Sequence, residues 1–206
     1  MKSYRMYASS INDRYIDEIV ETLRRGGVVV YPTDSTYAIG CDALSNRAVE
    51  RVCRMRGINP AKQRLSMVCA DISQASDFAG IDNKAFRLLR DNLPGPFTFI
   101  LPASPRLAKA FKGRREVGVR VSGNEIARRL ASELGNPLLS ASAIWEDADP
   151  EALGHAEEVK MRMEPLGPDA FIDAGDVPGV ETAVVSLMDS DAPEMLREGP
   201  ETLRGL

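Results

Sequence analysis

Apolar residues recur at three- and four-residue spacing over residues 12–25, where Tyr15, Ile16, Ile19, Val20 and Leu23 share one helical face. Asn12 is placed to cap that helix and Gly26 to stop it. The pattern then changes. Residues 27–31 form a β-branched run, read as a buried strand closed by Pro32, and a polar stretch follows over 33–37. A second helical period covers 45–56, with Ser45 near its N-cap. A third covers 82–92, opened by Asp82 and ended before Pro94. Residues 65–69, 97–101, 117–121 and 138–142 read as strands, with a helix over 124–134 between the last two. A weaker helical period runs over 154–163, and 171–173, 182–188 and 194–197 supply the remaining strands. Strands alternating with helices predict an α/β protein with one domain over residues 1–206. The acidic stretch 145–151 reads as a surface loop, too short to separate a pair of domains.

Composition narrows the classes. With 44% hydrophobic and 27% charged residues, the 206-residue chain can bury a sizeable core. A single histidine, His155, excludes a polyhistidine zinc site, and Cys41, Cys53 and Cys69 show no C-x-x-C spacing. Neither a protein-bound zinc nor a haem is expected. Three separate thiols and the absence of an apolar leader at the N-terminus point to a reducing cytoplasm. No apolar run approaches the roughly 18 residues a membrane span needs. Neither a P-loop nor a Rossmann glycine pattern occurs. The net charge of −4 hides an asymmetry: residues 1–130 carry 22 Lys/Arg against 13 Asp/Glu, and 131–206 carry 4 against 17. The basic stretch either faces a polyanion or is neutralised by the acidic one in the fold.

Four stretches could carry chemistry. Just after the first buried strand, Thr33, Ser35, Thr36 and Tyr37 offer hydroxyls to a small polar ligand, unless the segment is an ordinary turn. On the 45–56 helix, Arg47, Arg51 and Arg54 share one face, while Arg56 falls with Val49, Val52 and Cys53 on the other. An arginine ending a core-facing stripe needs an anion or a path to water. Arg54 is placed to meet phosphate from a neighbouring direction, and Lys62 and Arg64 follow. Arg120 alternates with Val119 and Val121, so it faces either solvent or a cleft. Ser140 and Ser142 share one strand face, either beside a ligand or in a crowded core. Arg47 and Arg51, with Lys109, Lys112, Arg114 and Arg115, form a candidate RNA rim. That rim has few aromatics, which suits backbone contacts better than base stacking.

These pieces, in this order, resemble the YrdC-like family, most closely its YciO branch. The matching stretches are GGVVVYPTDSTYAIGCDA (26–43), VCRMRG (52–57), PGPFTFIL (94–101), VGVRV (117–121), LLSASA (138–143), TAVVSL (182–187) and LREG (196–199). The resemblance covers nearly the whole chain. It implies a twisted, mixed parallel/antiparallel sheet with flanking helices and a basic concave cleft. It also implies the activity of threonylcarbamoyl-AMP synthases, which join threonine, bicarbonate and ATP, with magnesium, and release pyrophosphate. Their product serves the threonylcarbamoyl modification of adenosine in tRNA. The alternative it carries is a double-stranded RNA, tRNA or rRNA-binding protein with a degenerate nucleotide pocket. ATP or a related nucleotide and a threonine-like molecule are thus the implied ligands. Homodimer formation is left open.

Carried over position by position, the resemblance places Thr33, Ser35 and Tyr37 by threonine. Arg54 and Arg56, where synthases have Lys-x-Arg, would contact phosphates and the substrate carboxylate. Thr98 and Thr182 join the substrate set. Ser66, Lys62, Arg64, Arg120, Ser140, Ser142 and Arg197 make up the nucleotide and phosphate set. The departures are chemical. Arg54 replaces a lysine, Ile144 an asparagine, Ala183 a threonine, Gly57 and Ser122 prolines, and Asp34-Ser35 a Glu-Thr pair. A guanidinium fork is not interchangeable with an ammonium point charge. Losing one buried hydrogen-bonding partner costs about 1–3 kcal/mol.

Overall fold

The computed structural model describes residues 1–59, 66–105 and 113–205. In chain order the elements are β1 (Lys2–Arg5), α1 (Asp13–Arg24), β2 (Val29–Pro32), β3 (Tyr37–Asp42) and α2 (Asn46–Met55). Then come β4 (Ser66–Val68), α3 (Ile72–Ser76), α4 (Asn83–Asn92), β5 (Phe97–Pro102), β6 (Glu116–Arg120) and α5 (Glu125–Leu134). The chain continues with β7 (Leu138–Ser142), α6 (Ala156–Met163), β8 (Ala170–Asp173), β9 (Ala183–Ser186) and β10 (Glu194–Arg197). The described strands form one sheet in the order β1-β8-β2-β3-β7-β4-β6-β5-β9-β10. It is mixed: β2/β3, β3/β7, β4/β7, β5/β6 and β9/β10 are antiparallel, and β1/β8, β2/β8, β4/β6 and β5/β9 are parallel.

Local chemistry sets the helix ends. Asn12, Ser45, Asp82 and Asn124 each accept a hydrogen bond from a backbone N–H of the first turn, as N-caps do. Gly26 takes the left-handed conformation just after α1, at φ +80°. The pleat then sorts the core. Val28 and Val30 point into a cluster with α2, α4 and α6. Val29 and Tyr31 point into a second cluster with α1 and α5. Both faces of β2 are buried, which explains its unbroken apolar run.

Three elements lie outside the sequence expectations. β3 follows the hydroxyl loop directly and is enclosed between β2 and β7. Its apolar residues stand on both faces, so it lacks the alternation that marks a half-exposed strand. β1 is polar except for Tyr4 and is recruited by pairing with β8. The five-residue α3, capped by Asp71, is too short for a helical period to register. The last helix begins at Ala156, after a 3₁₀ turn over Ala152–Gly154.

The N-terminus of α6 shows what His155 does. Its side chain makes no cap hydrogen bond. Instead Asp176 Oδ1 accepts from Ala156 N at 3.0 Å, and Asp176 Oδ2 lies 3.2 Å from His155 Nδ1. That carboxylate raises the His155 pKa above 6.5. Asp176 itself is lowered, first by the Ala156 N–H and then by His155. A raised folded-state value means the pair's contribution is fully present below pH 6.5 and is lost as pH rises through the raised value. Because the chain has one histidine, its ring resonances in an NMR titration will report this directly. The midpoint is expected above 6.5 in the native protein and lower in Asp176→Asn.

Candidate functional site

The strands β7, β4, β6, β5 and β9 are buried on one face and open on the other. Phe97, Phe99, Val119, Met67 and Val185 point into the core. The residues between them face the other way. Ser66 pairs in register with both Ser140 and Gly118, and Gly118 with Ile100. This row floors a cavity of about 430 Å³, within the range small-molecule pockets occupy. Arg56, Ser66, Thr98, Arg120, Ser140, Ser142, Thr182 and Arg197 line it, with apolar walls that include Ile58, Ile100 and Ile144. Gly118 makes room for Ser66: a Cβ there would collide with Ser66 Oγ.

A second chamber of about 240 Å³ adjoins the first. Arg120, Ser142, Ile144, Thr182 and Arg197 line both. Ser35 and Thr36 from the hydroxyl loop, Ala148 and Pro150 from the acidic loop, and Glu181 belong to the smaller chamber alone. The cleft is therefore divided, with arginines at the partition.

Each cation is held differently. Arg56 is the C-cap of α2; its Nε donates to the Ser142 carbonyl at 2.9 Å and its Nη1 to the Ile144 carbonyl at 2.5 Å. Burial pulls its pKa below the usual guanidinium value. Arg120 is 9% exposed and closes β6. Its Nη2 donates to Asp34 Oδ1 at 3.1 Å and to Ser35 Oγ at 3.0 Å. Arg197 follows a register shift in the β9/β10 ladder. Its Nε and Nη2 donate to the Thr182 carbonyl and Oγ1, and its Nη1 to Glu181 Oε1. Register shifts of this kind re-aim a side chain.

The hydroxyls form a second network. Thr98 Oγ1 and Thr182 Oγ1 lie 3.0 Å apart, and Tyr31 donates to Ser140 Oγ at 2.7 Å. Burial pushes the Tyr31 pKa up to about 12, against the opposing pull of that hydrogen bond. None of the three thiols offers a nucleophile, because burial raises each pKa, that of Cys69 to about 12. Among the described residues no group of three or more His, Cys, Asp or Glu side chains could hold a metal ion.

Several expected residues stand elsewhere. Arg54 is exposed on the outer face of α2. It lines a separate open groove with Arg47 and Arg51, because two residues' difference from Arg56 is half a helical turn. Thr33 is buried and lines neither chamber. Its Oγ1 donates to the Thr36 carbonyl at 2.6 Å and accepts from Ser35 N and Thr36 N, so it builds the turn. Tyr37 is likewise buried away from both chambers, its hydroxyl donating to the Gly175 carbonyl and accepting from Ala174 N. Four residues of the expected RNA rim are described. Arg51 bonds Asp169 and the Gly167 carbonyl, Arg47 bonds the Arg25 carbonyl, and Arg114 turns buried Nε and Nη2 atoms inward while Arg115 is exposed. Lys62, Arg64, Lys109 and Lys112 lie outside the described residues.

A family model described as "Telomere recombination", covering Sua5, YciO and YrdC, matches residues 21–199. The chain belongs to the Sua5/YciO/YrdC family. It is 37% identical to the uncharacterized protein YciO of Escherichia coli K12, over 95% of this chain and 94% of that protein. It is 33% identical to a threonylcarbamoyl-AMP synthase of Vibrio vulnificus, over 62% of this chain and 70% of the synthase. The crystal structure of E. coli YciO superposes with a TM-score of 0.89 at 35% identity, over 99% of this chain and 98% of that one. P. abyssi Sua5 complexed with L-threonine gives 0.82 at 27% identity, over 96% of this chain and 57% of that one. These matches agree with the mixed sheet and flanking helices expected from the resemblance.

The two hydrogen bonds of the Tyr37 hydroxyl tie β3 to the 174–175 turn. Tyr37→Phe is therefore expected to lower unfolding free energy by about 1–3 kcal/mol in urea denaturation.

Proposed function

We propose that this chain binds a nucleotide in the larger chamber and an amino-acid-sized substrate in the smaller one, and forms an acyl adenylate of the threonylcarbamoyl-AMP type. The observation that carries the reading is the pair of chambers meeting at Arg120 and Arg197, beside Arg56. Cations at a partition are placed where phosphate and carboxylate charges must be brought together. The family's threonylcarbamoyl-AMP synthases and the threonine complex of P. abyssi Sua5 support it.

The chemistry follows from the lining. Three guanidinium groups can hold the triphosphate and stabilise charge that builds up as pyrophosphate leaves. No carboxylate among the described residues lines the larger chamber, so magnesium would arrive with the nucleotide as a component of the substrate. Ser35, Thr36 and Thr182 give the smaller chamber hydroxyls for a polar substrate, and Glu181 gives it one carboxylate. With no activated nucleophile among the described residues, the protein contributes mainly positioning and charge stabilisation. Ile144 offers the nucleotide an apolar surface where synthases offer an amide, so base recognition here relies on packing.

Incubation with ATP, threonine and bicarbonate is expected to release pyrophosphate in a threonine-dependent manner. Arg56→Ala should lower the rate about 100-fold. Equal rates for the two proteins would defeat the reading.

A second reading, an RNA-binding surface, is favoured by one observation. Arg47, Arg51 and Arg54 line an open groove of about 800 Å³ outside the cleft. Phosphate contacts release counterions, so binding of a double-stranded RNA should weaken steeply between low and physiological salt. Arg47→Ala with Arg54→Ala should weaken it further. Salt-independent binding would exclude the groove as an RNA surface.

A further inference from the structure

The adenylate-forming reading gives no task to Asp34, yet its carboxylate is the most heavily engaged acid at the cleft. Oδ1 accepts from Arg120 Nη2 at 3.1 Å and from Ser122 Oγ at 2.7 Å, and Oδ2 accepts from Gly123 N at 2.6 Å. The approach depends on Gly123, where a Cβ would stand 3.1 Å from Oδ2. Ser122 Oγ in turn accepts from Asp34 N and from Asn124 N, the residue that caps α5. The hydroxyl loop, the end of β6 and the start of α5 are thus joined at one carboxylate.

Arg120 is what this knot holds. Its Nη2 is committed to Asp34 and Ser35, whereas its Nε is buried without a hydrogen-bond partner. A guanidinium is rigid and planar, so fixing one nitrogen fixes the direction of the others. That buried, unpaired donor adds to the cost of holding the charge away from water, a cost that an anion beside the guanidinium would offset. Arg120 lines both chambers, so an acceptor beside it would lie where they meet.

We infer that Asp34 is a positioning residue: it anchors Arg120 through Nη2 so that the rest of the guanidinium is directed at an anionic group lodged between the two chambers. This deepens the proposed function and rests on its reading of the cleft as a phosphate site. A mere counter-charge would act in the opposite sense. Removing it would leave Arg120 more attractive to anions and strengthen their binding. Removing a positioning residue releases Arg120 from its orientation and weakens it.

The test uses the full chain and inorganic pyrophosphate. Calorimetry measures affinity, and the arginine Nε–Hε NMR signals report geometry, with Arg120 assigned through Arg120→Lys. In the native protein pyrophosphate should shift the Arg120 signal. Asp34→Asn should weaken pyrophosphate binding about tenfold and abolish that shift, since a charge-assisted hydrogen bond is lost. Ser122→Ala keeps the charge and removes one bond to it; it should weaken binding about threefold, and it decides the matter if Asp34→Asn does not fold. Unchanged or tighter binding in these variants, with the Arg120 signal still responding, would overturn the inference. So would a native Arg120 signal that ignores pyrophosphate. A shift that Asp34→Asn abolishes, in a protein that releases no pyrophosphate from ATP, would defeat the adenylate reading and leave the inference standing.

Discussion

The pleat of the sheet decides which side chains face the cleft and which enter the core. Along β5, β6 and β9, alternate residues enter a closed apolar core, and the residues between them have only the opposite face available. That face is covered by α1 and α5 over some of the sheet and is bare over the rest. Ser66, Thr98, Gly118, Arg120, Ser140 and Thr182 fall on the bare region. A shift of one residue in any of these strands would exchange core and cleft, burying arginine among phenylalanines. The same packing that fixes register therefore fixes the site.

Placing a guanidinium in a sheet also has an energetic condition. Arg120 is almost wholly withdrawn from water, and a buried charge persists only when paired and hydrogen-bonded. Asp34 and Ser35 meet that condition from a loop far away in sequence. The loop is shaped by Thr33, whose hydroxyl both donates and accepts within the turn, and it is moored by the Ser35 carbonyl, which accepts from Gly179 N and Val180 N. Hydroxyls that read as ligand contacts in a linear sequence are largely the means by which the chain brings a carboxylate to Arg120.

What the sequence conveyed depended on periodicity. Arg56 was legible because helical spacing sets it with Val52 and Cys53 on the inward face of α2, and it does reach the cleft. The same spacing sends Arg54 to the outer face. There a resemblance to a Lys-x-Arg motif pointed inward and the helix did not follow. Ser140 and Ser142 were legible from the two-residue period of β7. Tyr37 was not, because a tyrosine near a hydroxyl loop gives no sign of which way its strand will turn. Neither was β3, whose residues are apolar on both faces and therefore show no alternation. The roles of Asp34 and Ser122 depend on a contact between segments 88 residues apart, which no local pattern records.

Part of the charge asymmetry along the chain is bridged by pairings such as Arg5 with Asp173 and Arg51 with Asp169, so it does not divide the molecule into a basic and an acidic body. Arg197 stands on β10, an edge strand of the sheet none of whose residues is buried. Strands of this kind sit at the low end of the range of local opening free energies, far below the cost of global unfolding. One wall shared by both chambers is therefore built on the region of the sheet least committed to the core. Local opening at that edge would part the shared wall without moving the buried strand that carries Arg120.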